Sequence, residues 1–401
     1  MSLRRCRTGL IFLVIASLSC QEGDKAPAFT LVETKEKPFG LTLKLDSLTV
    51  ETKGMLPFYE VSGIVHNREE LIFVGYDATR HTLNVIDVSG RKVLKSVPLE
   101  KEGPMGVDQI SGLYCQSLDS IFAVGMNSDL IYLLNAEGGI RRKWPINALD
   151  RKHAAFYDDN VFSVMSSSDF YFDQKDKSIY IKNNYYRKSP STQAREYYNE
   201  ALLLGKVDLV TTKPDLLNIP YSPTLREHYV GDLDHPDFAF LTKNGSLDKV
   251  VYSFPGTADI LSYELATGRT TLYAPSFRPI DQHIKYLNWN DAKGMGAKMQ
   301  SFKSEGRYGK IIPIGDRDKL FYVQFCQDVP VDTTKNSFTY MVYLLVYDEN
   351  FNVIFQSKAM PCTFYNYAFY YNKKIYVFQP QGRSEDELSF LTIALEGLDD
   401  I

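Results

Sequence analysis

The chain repeats a short pattern in which a polar turn is followed by four or five apolar residues. Consecutive copies are separated by 50, 58, 71, 70 and 55 residues. Repeats of about this size are typical of proteins built from similar blades of β-sheet. The six copies align on Leu71, Ile121, Ile179, Val250, Leu320 and Ile375.

Most copies lie within a unit of four predicted strands. In the first unit, Thr82–Val88 and Lys92–Val97 alternate apolar and polar residues on either side of a Ser89-Gly90 turn. A further strand is predicted before the apolar run. The segment Val61–Ile64 (VSGI) in the first unit is matched by Ile110–Leu113 (ISGL) in the second, 49 residues later. Alternating polarity with tight turns of this composition predicts an antiparallel meander.

Isolated four-stranded meanders expose two faces and two edges, whereas radial stacking buries the faces and leaves only short edges. The sequence therefore predicts an all-β fold, a six-bladed β-propeller of four-stranded antiparallel blades. The sixth unit is short of strands, and Phe39–Val50 supplies an unassigned strand near the start of the chain. We predict that this N-terminal strand completes the last blade and closes the ring.

The first residues have the organisation of an export signal. Three arginines precede an apolar run, Leu10–Ala16, which is too short to span a membrane as a helix. Small residues then lead directly to Cys20. This order predicts a lipoprotein signal peptide over 1–19 and lipidation of Cys20. The alternative is ordinary cleavage near Ser19, which leaves a soluble periplasmic protein.

The signal departs from the common lipoprotein pattern, because Ser17 stands where a leucine is usual. Looser signals of this kind are similar to those of Bacteroidota lipoproteins. The charged segment 20–38 is predicted to be a lipidated tether, and 39–401 a single propeller domain. The sequence thus predicts a lipoprotein of the cell envelope, held on the outer membrane through Cys20, on the periplasmic or the surface-exposed leaflet.

The net charge of the chain narrows the classes of partner that it can bind. Removal of the signal peptide takes away three arginines and no acids, and the mature chain has a net charge of −7. It contains no block rich in lysine or arginine, so nucleic acid is not an expected partner.

Cys115, Cys326 and Cys362 lie in or beside apolar strands and are predicted to be buried thiols. Alternatively, Cys326 and Cys362 can pair in an oxidising periplasm.

No sequence motif of a common catalytic or metal site is present. The six histidines form neither HxH nor HExxH, and GxSxG, P-loop and GxGxxG motifs are absent. The acidic run Asp232–Asp237 lacks the glycine and the terminal glutamate of an EF-hand loop. We therefore predict no catalytic residue, no metal site and no cofactor, and the sequence favours a protein that is not an enzyme.

Aromatic residues in two loop regions, around 183–201 and 276–309, are the candidate ligand contacts. A loop with methionine, glycine and an exposed tryptophan suits contact with a peptide or glycan. Alternatively, Trp289 fills a gap between two blades. The candidate contacts are Tyr185, Tyr186, Tyr197, Tyr198, His283, Tyr286, Trp289, Arg307 and Tyr308.

Six short segments of turns and strands carry a likeness to known proteins. They are Leu83–Val88, Glu102–Gly106, Leu118–Phe122, Tyr132–Asn135, Arg307–Gly309 and Asp316–Tyr322. Their order resembles a family of propeller-type Bacteroidota lipoproteins called domain of unknown function 4221. The likeness covers most of the mature chain and implies the propeller fold, but no reaction and no catalytic residues.

These observations leave three functions open. The first is a binding or scaffold lipoprotein whose propeller presents its loops to a protein, peptide or glycan partner. The second is a glycan-acting hydrolase or lyase with its site in the propeller funnel, which requires acidic or histidine side chains that converge on the axis. The third is a purely structural subunit of an envelope complex, which requires a broad apolar patch on one face.

Overall fold

Each of the six repeated apolar runs forms the second strand of a small antiparallel sheet. These strands have neighbours on both edges and packed blades on both faces, which is why they read as continuous apolar runs. Leu71–Asp77, for example, is buried at every position. The computed structural model describes residues 29–66, 70–164, 169–185, 195–228, 230, 235–275, 277–281, 284, 306–316, 319–328, 340–362, 365–379 and 386–400.

Within these residues the strands form six sheets arranged in a ring, so the fold is the predicted six-bladed β-propeller. Blade 1 contains β3 to β6, which are Ser62–His66, Leu71–Asp77, Thr82–Asp87 and Lys92–Pro98. Blade 2 contains β7 to β10, which are Ile110–Ser117, Ser120–Gly125, Leu130–Leu134 and Ile140–Pro145. Blade 3 contains β11 to β15, which are Asn160–Phe162, Phe170–Asp173, Ser178–Tyr185, Leu204–Asp208 and Pro214–Leu216.

The remaining blades follow the same antiparallel order. Blade 4 contains β16 to β19, which are Asp237–Lys243, Ser246–Phe254, Thr257–Glu264 and Arg269–Ala274. Blade 5 contains β20 to β24, which are Arg307–Asp316, Lys319–Gln327, Tyr340–Tyr347, Val353–Gln356 and Met360–Cys362. Blade 6 contains β25 to β27, which are Phe369–Tyr371, Lys374–Phe378 and Glu387–Glu396, together with β2, Thr42–Glu51.

Helices in the described residues are short and lie in connections. The α-helices α1 to α3 are Ala154–Tyr157, Arg195–Glu200 and Pro223–Glu227. The 3-10 helices are Asn147–Leu149, Arg151–His153, Tyr365–Tyr367 and Leu398–Asp400. No helix in this part of the chain is long and apolar enough to cross a membrane.

The first strand of each blade lies innermost, next to the axis. Neighbouring first strands contact each other, as β3 does β7, β7 does β12, β16 does β20 and β20 does β25. Blade 3 differs because two short strands, β11 and β12, share this inner position and both pair with β13. The inner edge of blade 3 is therefore divided between two short strands.

The predicted closing strand is confirmed, because β2 pairs antiparallel with β27 over ten residues, from Thr42 opposite Glu396 to Glu51 opposite Glu387. β2 thereby becomes the outermost strand of blade 6. The last blade is thus built from both ends of the propeller domain.

Part of the segment predicted to be a tether also lies against the propeller. β1, Thr30–Glu33, pairs parallel with β19 on the outer edge of blade 4, and Glu36 forms a parallel bridge with Val353 on blade 5. The chain 30–51 therefore crosses the outer edges of three consecutive blades. The sequence did not predict this, because a four-residue edge strand gains its hydrogen bonds from a partner about 240 residues away.

The apolar core lies between blades, where their faces meet. Separate clusters of buried residues join blades 1 and 2, blades 2 and 3, blades 3 to 5, blades 5 and 6, and blades 6 and 1. The last cluster brings Tyr376 and Phe390 of blade 6 against Phe73 and Ile86 of blade 1. Each sheet therefore buries its two faces against its neighbours, which is the reason the ring forms.

Cys115, Cys326 and Cys362 are buried and in the thiol form, so the alternative of a Cys326–Cys362 disulfide is not what the structure contains. Burial raises the pKa of Cys115 to about 12 and also raises that of Cys326.

Since the thiolate is the reactive form, we expect none of the three cysteines to be alkylated by iodoacetamide at pH 8 in the folded protein. Mass spectrometry should find all three alkylated after unfolding without reductant, whereas protection of Cys326 and Cys362 would contradict the prediction.

Candidate functional site

A cavity opens on the axis at the face where each blade connects to the next. Because neighbouring strands run antiparallel, the starts of the inner strands and the ends of the second strands meet at this face. Blades 1, 2, 3 and 6 contribute to the cavity, which we call the funnel. Its volume is about 690 Å³, within the usual range for sites that hold small molecules or side chains.

The wall of the funnel is mainly apolar, with single polar groups between the apolar side chains. The apolar residues include Leu56, Phe58, Ile110, Val124, Met126, Ile146, Phe162 and Val164. The polar residues include Glu60, Thr79, Gln109, Ser111, Asp129, Asn147, Ser163 and Tyr367. Met126 stands at the rim with 60% of its surface exposed, although it is one of the larger apolar side chains.

Asn147 holds the floor of the funnel together. Its backbone has φ +48°, in the left-handed region, which asparagine tolerates better than most residues. The side-chain carbonyl accepts from the Phe162 backbone N–H at 2.8 Å, and the side-chain amide donates to the Phe162 carbonyl at 2.8 Å. The amide also donates to Asp129 at 3.0 Å. Asn147 therefore fixes β11 and the Asp129 carboxylate relative to each other.

His81 supports the wall from behind. Its Nε2 lies 3.0 Å from the Val107 carbonyl, which can only accept a hydrogen bond. In the neutral imidazole, Nδ1 then accepts from the Tyr76 hydroxyl at 2.7 Å. Burial raises the pKa of Tyr76. Because both ring nitrogens are engaged within the protein, His81 positions Tyr76 and does not present a free group to the funnel.

The charges in the funnel are negative. Glu60 and Asp129 are its acidic residues, and no lysine, arginine or histidine is among the described residues that line it. Burial raises the pKa of Tyr367, and the nearby carboxylates of Glu60 and Asp237 raise it further. The described residues contain no group of three His, Cys, Asp or Glu side chains that could hold a metal ion.

The predicted contact residues lie elsewhere or outside the described residues. Cys20, Tyr186, His283, Tyr286 and Trp289 are outside the described residues, as is the side chain of Tyr185.

The other predicted contacts are largely buried, Tyr197 and Tyr198 in α2 and Arg307 and Tyr308 at the start of β20. Tyr198 is 2% exposed and packs against Tyr221, and Tyr197 is half-buried beside it. Tyr308 is 1% exposed and donates to Asp281 at 2.8 Å, and Arg307 is 6% exposed. None of the four lines the funnel.

Sequence reasoning missed the funnel residues because they carry no motif. Their common signal is position within the repeat. Tyr76 and Gly125 lie in the last two residues of the second strands of blades 1 and 2, and Ile110 begins an inner strand. Residues at equivalent places in successive blades meet at one face of the ring. Alignment of the repeats could therefore have identified the funnel residues, whereas the aromatic residues of the longest loops could not.

The fold and the funnel define a six-bladed β-propeller with an open axial cavity. The chain belongs to the family described as "Domain of unknown function (DUF4221)", whose model matches residues 38–356. No curated protein matches the chain in sequence.

Two solved structures from Bacteroides are similar to it. A DUF4221 member from Bacteroides vulgatus is 14% identical with a TM-score of 0.69, and the match covers 89% of this chain and 98% of that one. A "putative exported protein" from Bacteroides fragilis is 14% identical with a TM-score of 0.52, covering 91% and 99%. At this identity the likeness establishes the fold alone.

Proposed function

We propose that the protein is an envelope lipoprotein that binds a partner in the funnel and acts as a binding or scaffold protein. The observation that carries the proposal is the cavity itself, which is large, open at one face and lined by apolar groups among a few fixed polar ones. Sites of this composition bind ligands by burying apolar surface and use polar groups for orientation.

The location in the envelope rests on the export signal and on Cys20. A similar structure from Bacteroides fragilis is named as a "putative exported protein", which supports export of this chain. We propose attachment through a lipid on Cys20 to the outer membrane. The first described strand, β1, lies on the outer edge of blade 4.

The lining favours a peptide over an acidic or purely polar partner. Phe58, Tyr367 and the exposed Met126 offer apolar surface, and Glu60 and Asp129 give the funnel a negative potential. A protein loop or peptide with an apolar residue beside a lysine or arginine complements both features. Glycan-acting chemistry receives less support, because Asp129 is held by Asn147 and Glu60 lies exposed at the rim.

The test is titration calorimetry with two peptides, Ac-Phe-Lys-Phe-NH₂ and Ac-Phe-Glu-Phe-NH₂. We expect the lysine peptide to bind more tightly and its affinity to fall as salt is raised, because exposed charges are screened. Glu60→Gln and Met126→Ala should each weaken binding several-fold without changing the melting temperature.

The matched control is Glu137→Gln, in the β9–β10 turn at the opposite face, where the side chain is exposed. This variant should bind the lysine peptide as the unchanged protein does. Equal affinity for both peptides, or identical binding by Glu60→Gln and Glu137→Gln, would contradict the proposed function.

A further inference from the structure

A second cavity, of about 450 Å³, lies along the axis between the inner strands of blades 4, 5 and 6. Its wall is dominated by aromatic and aliphatic side chains, among them Phe240 from β16 and Tyr370 from β25. Lys310, from β20, is the one charged residue among the described residues that line it. We call this cavity the lysine pocket, and it contains none of the residues that line the funnel.

A β-bulge directs Lys310 towards this pocket. In the pairing of β20 with β21, Tyr308 lies opposite Cys326 and Ile311 opposite Gln324. Gly309 and Lys310 therefore face a single residue, and the strand carries one extra residue at this point. A bulge interrupts the regular alternation of side chains, and bulges are frequent where a strand must re-aim a side chain at a site.

Buried groups hold the bulge in place. Gln324 is completely buried and donates through Nε2 to the Gly309 carbonyl at 2.9 Å. The Tyr347 hydroxyl, also buried, donates to Gln324 Oε1 at 2.8 Å. A side chain at position 309 would not fit, since its Cβ would lie 2.9 Å from the Phe325 carbonyl oxygen and 3.0 Å from the Tyr365 ring.

Lys310 is half-buried, and the carboxylate of Asp237 is the charge that acts on its ammonium group. Burial lowers its pKa, and the carboxylate of Asp237 acts in the opposite direction. In the described part of the chain, no carboxylate lies within ion-pair distance of Lys310 and no acceptor forms a hydrogen bond with its Nζ. A positive group in apolar surroundings gains most from an anionic partner that shares the pocket.

We propose that the lysine pocket binds a small organic acid, with its carboxylate on Lys310 and its apolar body against Phe240 and Tyr370. The aromatic wall provides the surface to bury, and the bulge fixes the position of the charge. This inference goes beyond the proposed function, because it concerns a separate cavity and a ligand of opposite charge.

The test compares 4-phenylbutyrate with 4-phenylbutyramide, which has nearly the same shape but no charge. Binding is measured by ligand-observed NMR and by titration calorimetry on the full propeller. We expect the acid to bind at least about tenfold more tightly than the amide. Lys310→Met, which keeps most of the apolar stem, should remove that difference and leave binding of the amide unchanged.

Lys358→Met is the matched control, because Lys358 is exposed on the outer edge of blade 5 and does not line the pocket. It should retain the preference for the acid. Melting temperatures show whether Lys310→Met is folded, and ¹³C-methylated lysine resonances report directly whether the acid shifts the Lys310 signal.

Equal affinity for acid and amide, or an unchanged preference in Lys310→Met, would overturn the inference. Peptide binding in the funnel should be the same in Lys310→Met and in the unchanged protein. Failure of this inference is thereby distinguished from failure of the proposed function.

Discussion

A chain that begins at residue 52, without β2, is expected to lose the cooperative thermal transition of the propeller. β2 forms a ladder of ten residues with β27 and provides Val50, which is completely buried between blades 6 and 1. Without it, blade 6 has three strands in the described residues, and the long edge of β27 is unpaired. Burial of one such side chain alone is worth about 1.5–3 kcal/mol.

The loss is large because a closed ring shares its stability between blades. A domain is stable by only about 5–15 kcal/mol. Removal of a ten-residue strand together with its core contacts therefore costs a free energy comparable with the total stability of the domain. An exposed edge of this length also invites pairing with other chains, and the shortened protein is expected to aggregate.

Two further chains separate closure from the rest of the N-terminal segment. A chain from residue 29 keeps β1 and the Glu36 bridge, and a chain from residue 40 keeps only β2. Calorimetry should show a cooperative transition for both, with the second lower by a few degrees. If the chain from residue 52 melted at the same temperature as the chain from residue 40, β2 would not be the closing element.

The fold was largely predictable because its signal is repeated six times. A single apolar run such as Ile121–Gly125 is ambiguous between strand and helix, but six copies joined by similar turns are not. The spare strand at Phe39–Val50 could be assigned to blade 6 because the last unit lacked a partner. The contacts of β1 could not be predicted, since nothing in Thr30–Glu33 specifies the edge of blade 4.

The site was much less predictable, and the reason is geometric. The funnel draws on connections from four blades, and the lysine pocket on inner strands from three, so neither has a local signature. Lys310 reads in sequence as one polar residue in an apolar strand. Its role depends on the bulge at Gly309 and on Gln324, which lies on the neighbouring strand.

Asp173→Ala is expected to destabilise the propeller by about 3 kcal/mol, because its carboxylate joins two blades. One oxygen accepts from the backbone N–H groups of Lys175 and Asp176 in its own turn. The other accepts from the Leu247 N–H at 2.6 Å and the Ser246 hydroxyl at 3.0 Å, both in blade 4. Asp173 is completely buried, so its removal leaves these donors without partners, and hydrogen bonds to a charged group are worth about 1.5–3 kcal/mol.

Asp208→Ala is the matched control within the same blade. Asp208 also accepts from two backbone N–H groups of its turn, those of Val210 and Thr211, but it is more exposed and makes no bond to another blade. Urea denaturation should show a loss of about 1 kcal/mol for this variant. Equal losses for the two variants would mean that the bonds to blade 4 contribute nothing.

The pH dependence gives an independent check on the same carboxylate. Burial acts to raise the pKa of Asp173, but the hydrogen bonds from Asp176, Leu247, Ser246 and Lys175 outweigh it, and the pKa is lowered. The folded protein therefore binds this proton less readily than the unfolded chain, whose aspartate pKa is about 3.9. The stabilisation is complete above that value and is lost as the pH falls through the lower, folded pKa. The difference in unfolding free energy between the unchanged protein and Asp173→Asn should accordingly shrink below about pH 4. A difference that stayed constant down to about pH 2 would show that the charge of Asp173 does not link the blades.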